Sequence, residues 1–157
     1  MLIKGLIDTD LINYRLPSMF IAFPKCDFKC DKECGEQVCQ NSTLAHEINI
    51  NMDNKEIIKR YLNNPITKAI VCGGLEPFDT FKDLYNIIED IRHYTNDDII
   101  VYTGYNINEI SDKIYQLQKF KNIIIKFGRF IPNQEKHYDE LLGVDLASPN
   151  QYAERIS

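Results

Sequence analysis

The chain has 157 residues, a size typical of one domain, and its 44% hydrophobic and 26% charged residues are ordinary for a globular protein. Its net charge of -5, from 18 Lys and Arg against 23 Asp and Glu, gives no electrostatic support for nucleic-acid binding. We therefore expect a single domain over residues 1–157 and no nucleic-acid partner. The N-terminus lacks a signal-peptide pattern and no apolar run approaches membrane-spanning length, which predicts a cytoplasmic protein without a membrane partner.

The first half of the chain predicts two buried strands with a helix between them. Met19–Phe23 is a short apolar run, and Thr67–Cys72 is a second one. Asp53, followed three residues later by Glu56, resembles a capping box at the start of the helix. The predicted apolar stripe of this helix consists of Ile57, Ile58, Tyr61 and Leu62.

The second half of the chain repeats the alternation. Thr80 can cap a second helix, and Ile99–Tyr102 is a third apolar strand. Asn106 with Glu109 repeats the helix-start signal, and Ile123–Ile125 is a fourth strand. The apolar positions at helical spacing are Phe81, Leu84, Tyr85, Ile88 and Ile91 in one helix, and Ile107, Ile110, Ile114 and Leu117 in the next.

Apolar strands that alternate with amphipathic helices predict an α/β fold with a mostly parallel sheet, either an open doubly wound sheet or an incomplete barrel. In both folds the loops after the strand C-termini form the site. The unusual motifs fall at these places: a cysteine-rich loop at about 24–41, then Gly73–Pro77, then Thr103–Tyr105. We therefore expect one shared pocket.

Four of the five cysteines are crowded into one segment, namely Cys26, Cys30, Cys34 and Cys39. In a reducing compartment, clustered thiols indicate a metal or an iron–sulfur cluster rather than disulfides. A zinc site formed by all four thiolates is the alternative. Cys72 stands alone in a predicted strand, where a free cysteine packs as a small hydrophobe.

The sequence resembles radical S-adenosylmethionine (SAM) enzymes, which typically carry a Cys-x3-Cys-x2-Cys motif. Cys26-x3-Cys30, with Phe28 between them, matches the first half of that motif, whereas the second half departs from it. The third ligand is then Cys34 or Cys39. We favour Cys39, because its surroundings resemble the Cys-x-Asn run that follows the last cluster cysteine in activating enzymes of anaerobic ribonucleotide reductase.

Other motifs carry the same resemblance across nearly the whole chain. Gly73-Gly74-Leu75-Glu76-Pro77 is similar to the Gly-Gly-Glu-Pro motif of radical SAM enzymes with one inserted leucine. Tyr102–Tyr105, Gly128–Phe130 and Leu146–Gln151 resemble, respectively, the Tyr-Thr-Gly-Tyr, Gly-Arg-Phe and terminal Gly-Ser-x-Asn-Gln segments of the same activases. Their order and approximate spacing agree with that family.

The resemblance implies a partial (β/α) barrel that holds a [4Fe–4S] cluster and SAM. The implied cluster ligands are Cys26, Cys30 and Cys39, with Cys34 as the alternative third ligand. A cluster bound by three cysteines leaves one iron open, which SAM binding and cleavage require. The implied SAM-binding residues are Phe28, Gly73, Gly74, Glu76, Tyr102 and Thr103.

The resemblance also implies an anaerobic oxidoreductase that generates a glycyl radical on a partner enzyme, and it points to anaerobic ribonucleotide reductase as that partner. Flavodoxin or ferredoxin would donate the electron. Two alternatives stay open. One is a radical SAM enzyme acting on a small molecule, similar to 7-carboxy-7-deazaguanine synthases, and the other is a non-catalytic zinc or redox-binding module.

Overall fold

A computed structural model describes residues 1–157, and ten strands and five α-helices alternate along the chain. Two short 3₁₀ turns, Pro77–Thr80 and Ile107–Glu109, precede the last two helices. In chain order the elements are β1 (Leu2–Ile3), β2 (Gly5–Asp10), β3 (Ser18–Phe23), α1 (Lys29–Cys34), α2 (Ser42–Ala45), β4 (Ile50–Asn51), α3 (Asn54–Asn63), β5 (Ala69–Gly74), α4 (Phe81–Arg92), β6 (Asp98–Tyr102), α5 (Ser111–Leu117), β7 (Ile123–Phe127), β8 (His137–Asp139), β9 (Val144–Leu146) and β10 (Tyr152–Arg155).

The centre of the molecule is a six-stranded sheet with the order β10-β7-β6-β5-β3-β2. The four inner strands are parallel, and the two edge strands are antiparallel to their neighbours. The predicted α/β fold is confirmed, with a mixed sheet in which three of the five pairings are parallel. Sequence analysis identified β3, β5, β6 and β7 but missed both edge strands.

Three helices cover one face of this sheet. Ile57 of α3, Leu84 of α4 and Ile114 of α5 belong to one buried cluster that includes Ile70 and Ile99 from the strands. Since the inner strands follow one another in chain order without a reversal, the doubly wound alternative is wrong: that fold places helices on both faces and reverses its strand order. No helix in the structure combines the length and the apolar character that crossing a membrane requires.

The opposite face of the sheet carries a smaller apolar cluster. Val71, Ile100 and Ile124 point toward it from adjacent strands, and Tyr14 and Leu142 cover them from the loops. Because the inner strands have buried residues on both faces, their sequences are continuous apolar runs rather than alternating patterns. This covering leaves the carboxyl ends of the strands free for a cavity, described below.

Three predictions of local structure need correction. Leu62 is 47% exposed, so the stripe of α3 is narrower than predicted. The third predicted helix is interrupted at Ile110, where φ of -130° separates a 3₁₀ turn from α5. The cysteine segment is not all loop, because α1 contains Cys30 and Cys34.

Two positions on α3 provide a matched test of the helix-to-sheet packing. Ile57 is fully buried and Leu62 is half exposed on the same helix. We expect Ile57→Ala to lower the free energy of unfolding by about 2–5 kcal/mol through the cavity it creates. Leu62→Ala should change it by no more than about 0.5 kcal/mol. Urea unfolding of the two variants and the wild type measures both effects, and equal losses would contradict the observed orientation of α3.

Candidate metal centre

A cavity of about 510 Å³ lies at the carboxyl ends of the parallel strands. It gathers most of the predicted site residues from segments that are far apart in sequence. Cys34 and Phe28 do not line it. The predicted residues on its wall are Cys26, Cys30, Cys39, Gly73, Gly74, Glu76, Tyr102 and Thr103.

Backbone contacts shape the cysteine segment. Phe28 adopts a left-handed conformation with φ of 55°, and its N–H donates to Sγ of Cys26 at 3.3 Å. Asp31 of α1 accepts the N–H groups of Val38 and Cys39, each at 2.8 Å, through Oδ1. One carboxylate of the helix therefore fixes the distant end of the segment, and sequence analysis did not predict this role.

The separation of the sulfur atoms distinguishes the possible metal centres. Only one group of three metal-ligating side chains has its ligand atoms within 4.8 Å of one another, and it consists of Cys26, Asp27 and Asp79. Tetrahedral zinc holds its thiolates about 3.8 Å apart, given Zn–S bonds near 2.3 Å. A cubane cluster separates its cysteines more widely, because each cysteine binds a different iron. Three thiols around one cavity thus fit an iron–sulfur cluster, and the structure does not gather the four thiols as zinc requires.

Burial dominates the electrostatics of these thiols. It raises the pKa of Cys26 to about 12 and also raises the pKa values of Cys30 and Cys39. The thiols are therefore protonated at neutral pH when no metal is bound, and a cluster must displace their protons. Cys30 differs from the other two, because the cations of Arg129 and Lys126 partly oppose the effect of burial on its pKa.

Glu76 is only 6% exposed, and it cross-links two strand ends. Its Oε1 accepts the N–H of Phe78 at 3.1 Å and the hydroxyl of Thr103 at 2.8 Å, and its Oε2 accepts the N–H of Gly104 at 2.9 Å. Burial raises the pKa of Glu76 to about 7, although these hydrogen bonds act in the opposite direction. Oε2 keeps one acceptor position for a ligand.

Position 74 accommodates only glycine. Its φ is 81°, and a Cβ at this position would meet the Cα of Ala22 at 3.0 Å. The carbonyl of Gly74 accepts a hydrogen bond of 2.7 Å from Nδ2 of Asn41. Since Asn41 follows Cys39 by two residues, this bond joins the cysteine segment to the glycine motif.

The later motifs of the chain contact one another. A Cβ at Gly128, where φ is 99°, would meet the carbonyl oxygen of Asn150 at 2.7 Å. Asn150 donates through Nδ2 to the carbonyl of Arg129 at 2.9 Å, and Gln151 donates through Nε2 to that of Gly128 at 3.3 Å. The two segments are thus one structural unit beside the cavity.

Arg129 is a buried ion-pairing residue. It binds both carboxylate oxygens of Glu109, at 2.6 and 2.7 Å, and its Nε lies 2.6 Å from Oε1 of Glu33 on α1. It also donates to the carbonyl of Gly104 at 3.1 Å. The helix that carries Cys30 is therefore tied to the end of β7.

Lys126 is the site residue that sequence analysis missed. It is 7% exposed, lies in β7 and lines the cavity. Burial lowers its pKa to about 8. A signal was present, since a lysine directly after Ile123–Ile125 interrupts a continuous apolar strand near its carboxyl end.

Residues 17–148 match the model of a protein family described as the 4Fe-4S single cluster domain. The chain belongs to this family. The match contains all five cysteines and nearly all of the cavity wall. No curated protein and no solved structure matches the chain. As a single cluster domain, the protein is an iron–sulfur protein with a [4Fe–4S] cofactor, as predicted.

The buried carboxyl of Glu76 predicts a pH-dependent stability. Burial raises the pKa of Glu76 from 4.5 to about 7, so the folded protein binds the proton of this carboxyl more tightly than the unfolded chain does. The resulting stabilisation of the folded state is complete below pH 4.5 and is lost as pH rises through 7. Relative to Glu76→Gln, the wild type should therefore lose roughly 3 kcal/mol between pH 4.5 and pH 8. Urea unfolding of both cluster-free proteins across this range measures the difference. A difference that stays constant with pH would mean that Glu76 is ionised throughout in the folded protein.

Proposed function

We propose that this iron–sulfur protein is a radical SAM activase, which cleaves SAM reductively and generates a glycyl radical on a partner enzyme. One observation carries the proposal. The structure brings three cysteines of the segment to the cavity and leaves Cys34 outside it. Three thiolates leave one iron of a [4Fe–4S] cluster open for a ligand, whereas four would close it.

The assignment of ligands follows from the same cavity. Cys26, Cys30 and Cys39 hold the cluster in this proposal, and the exposed thiol of Cys34 does not. The contact of Asp31 with the backbone N–H of Cys39 supports this choice, because it fixes the backbone of a residue that lines the cavity together with the other two thiols.

The remaining wall supports a site for SAM. The volume of the cavity, about 510 Å³, lies within the range of about 300–1,000 Å³ that small-molecule sites occupy. The backbone of Gly73 and Gly74 allows close approach, and the open acceptor position of Glu76 suits the ammonium of SAM. Tyr102 and Thr103 also line the cavity.

When bound, the cluster and SAM would supply the difficult chemistry, namely the reductive cleavage of SAM and the removal of a hydrogen atom from glycine. The chain would position the two cofactors in the cavity. The electron donor in this proposal is a flavodoxin or ferredoxin.

A protein substrate suits the shape of the site. Ile12 is 77% exposed although it lines the cavity, so one wall of the cavity continues onto an accessible apolar residue. The glycine-bearing segment of a partner would complete this side. By its resemblance to the activases, the chain would act on anaerobic ribonucleotide reductase.

A cysteine series tests the cluster and its chemistry. We expect alanine at Cys26, Cys30 or Cys39 to abolish cluster binding and the formation of 5′-deoxyadenosine from SAM with dithionite. Alanine at Cys34 should leave both intact, and alanine at the buried Cys72, which does not line the cavity, serves as a control for loss of a thiol outside the site. Iron content and product are measured after anaerobic reconstitution.

Two outcomes of this series would contradict the assignment. Activity retained by Cys39→Ala but lost in Cys34→Ala would transfer the third ligand to Cys34. A colourless wild type that binds zinc and has no affinity for SAM would favour the non-catalytic module.

The partner is tested by electron paramagnetic resonance. Mixing the reconstituted protein, SAM, a reductant and anaerobic ribonucleotide reductase should produce a glycyl-radical signal on the reductase. We expect no signal when Cys26→Ala replaces the wild type, because the cluster is lost. A SAM-cleaving protein that yields no radical on the reductase, and that requires a small molecule instead, would favour the deazaguanine synthase-like alternative.

A further inference from the structure

We propose that Lys126 sets the reduction potential of the cluster by placing an uncompensated buried cation on the wall of the cavity that the ligand Cys30 also lines. This inference rests on the proposed function, because it uses Cys30 as a cluster ligand. It assigns a role to a residue that belongs to none of the motifs found in the sequence.

The first observation is that Lys126 has no acidic partner. Its Nζ carries three N–H donors and makes one hydrogen bond, to the carbonyl of Gly128 at 3.2 Å. No carboxylate lies within 4.0 Å of Nζ, although the side chain is almost completely buried. Burying a cation without a counterion lowers the stability of the folded protein. A negatively charged group bound in the cavity would stabilise the charged form of Lys126.

The second observation is that Arg129 does not fill this role. The guanidinium of Arg129 is already paired with Glu109 and Glu33, so its charge is largely balanced. The groups around Lys126 are the Tyr102 ring, 5.9 Å from Nζ, and two acids that raise its pKa, Cys30 and Glu76. Glu76 accepts three hydrogen bonds from other groups, and Cys30 lines the same cavity as Lys126.

The third observation is an asymmetry among the three thiols. Glu76 and Asp79 lie near Cys26 and disfavour its thiolate, and Asp31 does the same at Cys39. At Cys30 the neighbours Lys126 and Arg129 are both cationic, and of these two only Lys126 lacks a paired carboxylate. The wall of the cavity formed by the end of β7 is therefore its positive side.

Reduction by one electron adds one negative charge to the cluster and its ligands. The electron comes from an external one-electron donor, flavodoxin or ferredoxin in the proposed function and dithionite in the test. Net charge and solvent exposure are among the factors that set such potentials. A cation in a region of low dielectric constant favours the reduced form, so its removal should make the cluster harder to reduce.

The test compares midpoint potentials in titrations with dithionite, monitored by electron paramagnetic resonance in the absence of SAM. We expect Lys126→Met to shift the midpoint to a more negative potential. At the wild-type midpoint, its ratio of reduced to oxidised cluster should fall roughly tenfold. Lys126→Arg retains the charge and should stay close to the wild type. Lys119→Met removes a charge from an exposed ion pair with Glu89 and should leave the potential unchanged.

Lys126→Gln provides a second neutral variant if Lys126→Met does not fold, since its amide can still donate to Gly128. A potential equal to that of Lys119→Met in either neutral variant would overturn the proposal. If neither neutral variant retains a cluster while Lys126→Arg does, the charge serves cluster retention, and the proposal is likewise overturned.

Failure of this inference can be distinguished from failure of the proposed function. A wild type that holds a cluster but forms no 5′-deoxyadenosine contradicts the activase, and the shift in potential stands independently. A wild type that cleaves SAM while Lys126→Met keeps its potential contradicts only the role of Lys126. Retention of the cluster by Cys30→Ala removes the premise of both.

Discussion

The geometry of the site depends on the hydrogen bonds of Glu76. Its backbone N–H donates to the carbonyl of Lys25 at 2.8 Å, immediately before the first cysteine, and its side chain binds Thr103 and Gly104 after β6. One residue at the end of β5 thus joins the loops that follow three parallel strands. Parallel neighbours have their carboxyl ends at the same edge of the sheet, so a short buried side chain can span them.

Arg129 extends this connection to the fourth parallel strand. It lies just after β7, donates to the carbonyl of Gly104 and pairs with Glu33 on the helix that carries Cys30. None of the residues between Cys26 and Cys39 is buried, including those of α1. The conformation of this segment therefore depends on polar contacts with the strand ends more than on packing.

The sequence predicted the parts of the molecule that follow from local patterns. The inner strands are apolar runs buried on both faces, and α3 and α4 have clear periodicity, so their existence did not depend on distant contacts. The edge strand β2, Gly-Leu-Ile-Asp-Thr-Asp, lacks such a pattern, and only its pairing with β3 defines it. The site motifs were recognisable because the clustered cysteines and the glycine motif after the strands resemble those of a known family. The role of Asp31 could not be predicted, because it depends on how the chain folds back at Val38 and Cys39. Lys126 left a signal in the sequence, as a lysine within an apolar strand, but its burial depends on other elements.

The two ionisable groups that face the cysteines share one property. Burial raises the pKa of Glu76 to about 7 and lowers that of Lys126 to about 8, so in each case the protein disfavours the charged form. Two buried charged side chains lower the stability of the folded protein. Apolar residues of similar volume would serve a purely structural role equally well. In the proposed function, a bound cluster with its thiolates would favour the charged form of Lys126, and the ammonium of SAM would favour the carboxylate of Glu76. Binding of these groups would then offset the stability that burial of the two charges costs the folded chain.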